Sequence, residues 1–209
     1  MIEEEHDYLT DITAIRSMME RSSKFLALSG QAAVMAGIYA LAGSLIAWKI
    51  LELHPESMVP NSGTSSPDSA EMGGLVMTAL LMLLLAAGTA ILLSFRNAQK
   101  RGEKLWSPVA RRLLSGMALP LVSGGLLMII FWMNGLPAYS FALSLIFYGL
   151  SMCNASRFTF PELNFLGMIL IGLGLLSACL LSYALLIWAL GFGVLHIIYG
   201  LYIHFRYKQ

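Results

Sequence analysis

The chain has 209 residues, of which 57% are hydrophobic and only 12% are charged, roughly half the charged fraction of a typical soluble domain. A water-soluble fold of this composition would expose too much apolar surface to stay dispersed. The formal net charge of +1, with no basic stretch interleaved with aromatic residues, argues against a nucleic-acid groove. The composition predicts an integral membrane protein.

Residues 1–29 form a predicted cytoplasmic segment. The chain begins MIEEEHD, which is acidic, whereas a secretory signal peptide begins with a basic region. Residues 11–26 are amphipathic and carry i,i+4 charge pairs on their polar face. This segment could lie on the inner membrane surface, continue into the first helix, or dock a cytoplasmic partner. Its candidate partner or lipid contacts are Arg16, Arg21 and Lys24.

The rest of the chain, residues 30–209, predicts an all-α bundle of six transmembrane helices. A membrane-spanning helix needs roughly 20 mainly apolar residues. We expect the spans at about residues 30–53, 73–95, 108–132, 138–155, 162–181 and 184–205. Ser107 and Pro108 are a typical helix start. Residues 165–205 would make a single helix far longer than the roughly 30 Å hydrocarbon core, so we divide them near Ser182 and Tyr183.

Two polar connections separate the first three spans. Residues 54–72 are rich in Ser, Pro and acidic residues, which is typical of a solvated linker. The connection after the second span is basic and contains Trp106. It predicts contact with anionic lipids or with a partner, and its candidate residues are Lys100, Arg101 and Lys104.

The distribution of basic residues predicts that both termini lie in the cytoplasm. Six spans with the N-terminus inside would place every Lys and Arg except Lys49 on the cytoplasmic side, where these residues concentrate. Lys49 lies near the outer end of the first span and can extend towards the headgroups. Trp48, Trp132 and Trp188 fall at predicted outer boundaries, as in an aromatic belt.

An internal repeat appears when the chain is shifted by 51 residues. The shift aligns Gly149 with Gly200 and Tyr148 with Tyr199, within the related strings IFYGL and IIYGL. Two hairpins of equal orientation form a parallel repeat. We expect the first two spans to be a third, diverged copy.

Four side chains inside or next to the spans are candidate ligand-binding residues: His196, Tyr148, Tyr199 and Asn154. Ionisable groups within a membrane are functional candidates by default. A neutral His196 bonded to a neighbouring helix, tyrosines that pack, and an asparagine that bridges helices remain the alternatives. A kink at Pro120 is also expected, because proline lacks the N–H for one helical hydrogen bond.

The sequence predicts no enzymatic activity and no cofactor. Cys153 and Cys179 lie in apolar runs with neither CxxC nor Cys/His ligand spacing. We find no nucleophile and base, no phosphate-binding loop and no paired carboxylates. No Asp or Glu falls in the middle of a span, which argues against ion-coupled transport through carboxylates.

The strings IRSMMERSSKFLALSG, IFYGLSMCNASRF and WALGFGVLHIIYGLY resemble a family of small six-helix bacterial membrane proteins. The resemblance implies a bacterial inner-membrane origin but no activity. The hairpin pattern is also similar to the HdeD-type acid-resistance membrane proteins, although the long acidic outer loop departs from that pattern.

Two functions follow as hypotheses. The first is a non-enzymatic scaffold, sensor or subunit that works through membrane lipids and a cytoplasmic or membrane protein partner. The alternative is a transporter, channel or binder for a neutral or lipid-like small molecule. The first predicts a co-purifying protein, and the second predicts a polar cavity that includes His196, Tyr148 and Tyr199.

Overall fold

The computed structural model describes residues 29–50, 69–100 and 106–207, and every regular element among them is helical. The predicted all-α class is therefore confirmed, with six helices. They are α1 Gly30–Ile50, α2 Ser69–Lys100, α3 Pro108–Met133, α4 Tyr139–Ala155, α5 Glu162–Cys179, and α6, which joins three segments: Ala184–Trp188, Ala189–Leu195 and His196–Tyr207.

Five of the six helices are long and apolar enough to cross a membrane. The shorter helix is α4, with 17 residues, and a 3₁₀ turn at Ser156–Phe158 continues it. The predicted membrane class thus agrees with the helices that the structure contains.

Local sequence signals set the two ends of α3. The hydroxyl of Ser107 accepts a hydrogen bond from the backbone N–H of Ala110 at 3.1 Å, and Pro108 occupies the first helical position, where its missing N–H costs nothing. At the other end Asn134 Nδ2 donates to the carbonyl of Ile130 at 2.7 Å. Gly135 has φ = 72°, a conformation that glycine adopts without strain.

The break between α5 and α6 contains no Gly or Pro. Leu180 leaves the helical conformation with φ −118° and ψ 63°, and a 3₁₀ turn follows at Leu181–Tyr183, around the position where the sequence suggested a division. The backbone groups at the break remain bonded, since Leu180 N–H donates to Leu176 O and Tyr183 N–H donates to Leu180 O, both at 2.9 Å.

Helix α2 is longer than predicted: it has 32 residues, Ser69–Lys100, whereas the sequence predicted a span at residues 73–95. At about 1.5 Å per residue it is longer than a roughly 30 Å hydrocarbon core. Its last turn is held by packing, since Ala98 is buried against Ala110 and Leu113 of α3 in one core cluster. Most of the connection predicted at residues 54–72 lies outside the described residues.

Helices α4 and α5 cross at a contact made by glycines. A Cβ atom built on Gly149 would lie 2.7 Å from the carbonyl oxygen of Gly167 and 3.0 Å from the amide nitrogen of Ile171. A Cβ built on Gly174 would lie 2.6 Å from the Ile146 side chain. The two backbones are thus closer than any residue with a side chain would allow.

Helices α6 and α1 cross in the same way. A Cβ built on Gly200 would lie 2.6 Å from the carbonyl oxygen of Gly30 and 2.7 Å from the amide nitrogen of Val34. A Cβ built on Gly37 would lie 2.6 Å from the Ile197 side chain. Gly200 and Ile197 are the residues 51 positions after Gly149 and Ile146, so residues at this spacing in α4 and α6 make similar contacts.

Buried clusters at the two ends hold the bundle together. At one end, which we call the basic end, the last turn of α2 and the starts of α3 and α5 pack on α4 through Ala98, Ala110, Leu163 and Met152. At the opposite end Ala47 of α1 packs with Leu75 of α2, Ala138 and Leu185. The candidate residue His196 lies between these two clusters along the length of the bundle.

Candidate functional site

His196 is the most deeply placed candidate residue, with 4% of its surface exposed. It follows a seven-residue π-helical segment, Ala189–Leu195. Its Nδ1 lies 2.9 Å from the carbonyl oxygen of Gly191. Because a carbonyl can only accept, Nδ1 carries the hydrogen, and in the neutral ring Nε2 is left as the acceptor.

Tyr148 meets His196 from α4. Its hydroxyl lies 3.4 Å from His196 Nε2, so with a neutral ring the phenol O–H donates a long hydrogen bond to that nitrogen. The two rings are 5.5 Å apart. The pair joins α4 to α6 and gives both nitrogens of the buried imidazole a partner, which is what a buried polar group requires.

A column of aromatic rings extends from this pair towards the opposite end. Phe192 lies 5.0 Å from Tyr148 and 5.6 Å from His196 between ring centroids, and Trp188 lies 5.0 Å from Phe192. Trp188 Nε1 donates to the hydroxyl of Ser144 at 3.0 Å. The surroundings of His196 in this direction are packed rings, which stabilise by area and ring geometry.

Tyr199 lies one turn after His196 on α6. It is partly buried and packs, like Tyr148, against the core cluster that includes Leu145 and Leu170. Tyr148 and Tyr199 therefore pack against one cluster, as two of the three residues predicted to share a cavity.

Asn154 lies apart from the His196–Tyr148 pair, at the crossing of α4 with α3. Its Nδ2 donates to the carbonyl of Gly116 at 3.3 Å. That carbonyl lies four residues before Pro120, which is inside α3 and has no N–H to donate to it. The asparagine supplies the hydrogen bond that the proline removes, and nearby Ser151 donates to Met117 O at 3.3 Å.

The predicted basic contacts are only partly within the described residues. Lys100 is exposed at the last position of α2. Arg16, Arg21, Lys24, Arg101 and Lys104 lie outside the described residues, as does the amphipathic segment that contains the first three.

Sequence reasoning missed an ionic contact at the basic end. Arg206 Nη1 lies 3.1 Å from Glu162 Oε1, and the Tyr207 hydroxyl donates to the same carboxylate at 3.2 Å. The pair joins the last turn of α6 to the first turn of α5. The sequence contained a signal for this contact: Glu162 starts one span and Arg206 ends the next. Antiparallel neighbouring helices bring those two ends together.

The described residues contain no group of three or more His, Cys, Asp and Glu side chains that could hold a metal ion. Cys153 lies at the α4–α5 crossing, where its Sγ is 3.7 Å from Asn164 O, and Cys179 is exposed at the end of α5. Tyr148, Asn154, Ser151 and Trp188 each make a side-chain hydrogen bond to a neighbouring helix.

Comparisons of the chain with protein-family models, curated proteins and solved structures found no match.

Proposed function

We propose that this chain is a six-span protein of the bacterial cytoplasmic membrane, with both termini in the cytoplasm, and that it acts non-enzymatically as a scaffold, sensor or partner subunit. The sequence resemblance to small bacterial membrane proteins motivates the choice of membrane. In this proposal α4 and its 3₁₀ continuation form the fourth span along the chain, which brings the number of spans from five to six.

The positions of the helix ends support this topology. The start of α1 lies against Gly200 near the end of α6, and the start of α5 is paired with Arg206. Exposed basic residues cluster at this same end, where α2 ends and α3 begins: Arg96, Lys100, Arg111, Arg112 and Arg157. A basic end is the side that stays in the cytoplasm.

The two glycine crossings support the proposed repeat. Gly30 and Gly37 of α1 contact α6 as Gly167 and Gly174 of α5 contact α4, so α1 and α5 occupy equivalent places. The chain is then three hairpins, α1–α2, α3–α4 and α5–α6, in which each hairpin begins with an equivalent helix.

The observation that carries the functional proposal is the surface of α2. This helix packs along its length against α1, and no residue of it between Met72 and Leu93 is buried. Its side opposite α1 carries Leu80, Leu84 and Ile91, all exposed. A long helix covered on one side offers a surface for another transmembrane helix.

The candidate ligand residues favour this function over small-molecule binding. His196 and Tyr148 are bonded to each other inside packed rings, and Asn154 is bonded to a carbonyl of α3. Groups that already satisfy one another lose those bonds when a ligand enters, and a buried group left unpaired costs about 1 to 3 kcal/mol.

One observation supports the alternative function, a binder or transporter of a neutral or lipid-like molecule. The π-helical segment Ala189–Leu195 directly precedes His196, and π-helical turns often occur at functional sites. In that case the segment would rearrange to open a path to His196 and Tyr148.

The proposal is tested by mild crosslinking in native membranes followed by purification. We expect a second polypeptide to be retained, and to be lost when Leu80, Leu84 and Ile91 are all changed to Ala. A matched control changes the exposed Leu175 and Leu176 of α5 to Ala and should retain it. Failure to capture any polypeptide, or equal capture by both variants, would contradict the proposal.

A further inference from the structure

The face of α3 that points away from α4 is uncovered, although the equivalent face of α5 is fully covered. Leu170 and Ser177 of α5 are each 0% exposed. Leu119 and Leu126 lie 51 positions earlier in α3 and are 77% and 58% exposed. Positions that correspond under the 51-residue shift are therefore buried in α5 and exposed in α3.

The cover on α5 comes from the second helices of two hairpins. Helix α4 contacts Gly167 and Gly174, and Gly191 of α6 lies against Leu170. Helix α6 in turn covers α1 through Gly200. In two of these contacts, α4 on α5 and α6 on α1, a first helix is covered by the second helix of another hairpin, and for α3 that second helix would be α2.

The α2 of the same chain is held away from this face at three depths. Leu75 packs in the cluster of Ala47, a Cβ built on Gly43 would lie 2.9 Å from the Met82 side chain, and the hydroxyls of Tyr39 and Thr89 are 3.2 Å apart. These contacts attach α2 to α1. Within the described residues α2 and α3 meet at Ala98 but do not pack along their lengths.

We infer that a second copy of this chain covers the open face, with its α2 lying on α3 and its α3 lying on α2. The α2 face is Leu80, Leu84 and Ile91, and the α3 face is Leu119, Val122 and Leu126. Both faces belong to each copy, so one two-fold axis along the membrane normal satisfies both and closes the assembly. The inference rests on the proposed role as a subunit and identifies its first partner.

Depth along the bundle selects the residues for a test. Helices α2 and α3 are antiparallel and meet where Ala98 packs near Ala110. Counting inwards from that contact places Leu84 at about the depth of Leu126. Disulfide formation requires Cα atoms within roughly 7 Å, so only directly facing positions should react.

The test co-expresses two differently tagged chains, one with Leu84→Cys and one with Leu126→Cys, both carrying Cys153→Ala and Cys179→Ser. We expect oxidation in native membranes to give a mixed disulfide dimer. Replacing the second chain by one with Leu175→Cys, an exposed position of α5, should give none. A chain with Gly43→Cys and Met82→Cys is the folding control and should form its internal disulfide, because a Cβ built on Gly43 lies 3.9 Å from the Cβ of Met82.

Three results would overturn the inference. An internal Leu84→Cys/Leu126→Cys disulfide in one chain, without the mixed dimer, would make the chain's own α2 the cover. No disulfide in either format, with the folding control positive, would leave lipid as the cover. A different polypeptide crosslinked at Leu126→Cys would show that another protein, and not a second copy, covers α3. The proposed role as a subunit would then still stand.

Discussion

Asn154 and Pro120 illustrate how one residue compensates for another in this protein. Pro120 removes the helical donor to the carbonyl of Gly116, and Asn154 donates to that carbonyl from the neighbouring helix. The proline and the asparagine bridge are thus parts of one arrangement, and Asn154 acts as a structural group at the α3–α4 crossing.

We predict that the cost of Asn154→Ala depends on Pro120. In the natural chain the substitution should lower the free energy of unfolding by about 0.6 kcal/mol, a typical value for an interhelical hydrogen bond in a membrane. In a Pro120→Ala background the cost should fall towards zero, because the backbone N–H restored by that substitution can donate to Gly116 O. Detergent-unfolding measurements on the four chains of the double-mutant cycle supply both values.

The control for this cycle is Ser115→Ala, whose hydroxyl donates to Arg112 O within its own helix. Its effect should be the same in both backgrounds. Equal costs of Asn154→Ala with and without Pro120 would show that the two residues are independent.

The glycine crossings decide which helices are neighbours. Gly149→Ala or Gly200→Ala would place a methyl group within 2.7 Å of a backbone oxygen, and backbone atoms cannot move aside as a flexible side chain can. We expect each substitution to destabilise the protein by about 1 to 3 kcal/mol. The measurement is the shift in detergent unfolding midpoint for each variant.

Gly172→Ala is the matched control for this prediction, since a Cβ built there meets no atom within 4 Å. It should be neutral or slightly stabilising, because alanine favours the helix over glycine. Similar losses at Gly172 and Gly149 would show that helix propensity, and not the close crossing, sets the cost.

Parts of the helix pattern could be predicted from the sequence, and parts could not. Hydrophobic run length gives the number of helices, and Ser107 with Pro108 gives the start of α3. The end of α2 was predicted too early, because its last turn is polar and is held by Ala98 packing on α3. The π-helical segment of α6, Ala189–Leu195, was not predicted from the sequence.

The candidate site was less predictable than the fold. The sequence indicated His196 because it is an ionisable residue inside an apolar span, and the structure gives it Tyr148 as a hydrogen-bond partner. Sequence alone grouped Asn154 with them, because all four residues are polar groups in or near spans. Their separation into a His–Tyr pair and an Asn–carbonyl bridge depends on helix rotation and crossing, which one sequence does not specify.

At the scale of the whole molecule, His196 and Tyr148 are bonded to each other, Asn154 is bonded to a carbonyl of α3, and α2 and α3 carry open apolar faces. If the proposed role as a subunit holds, we expect such a molecule to recognise partners by helix packing in the bilayer, where small residues and shape determine affinity. Binding of a small-molecule substrate would instead require a pocket in which the ligand replaces the hydrogen bonds that the side chains now make.

The most direct measurement is native mass spectrometry of the protein released gently from its own membranes. We predict a complex that is heavier than one chain by at least one polypeptide, either a second copy or another protein. A single chain that persistently carries the extra mass of a small molecule would contradict the proposed role as a subunit, and would favour the binder or transporter function through His196 and Tyr148.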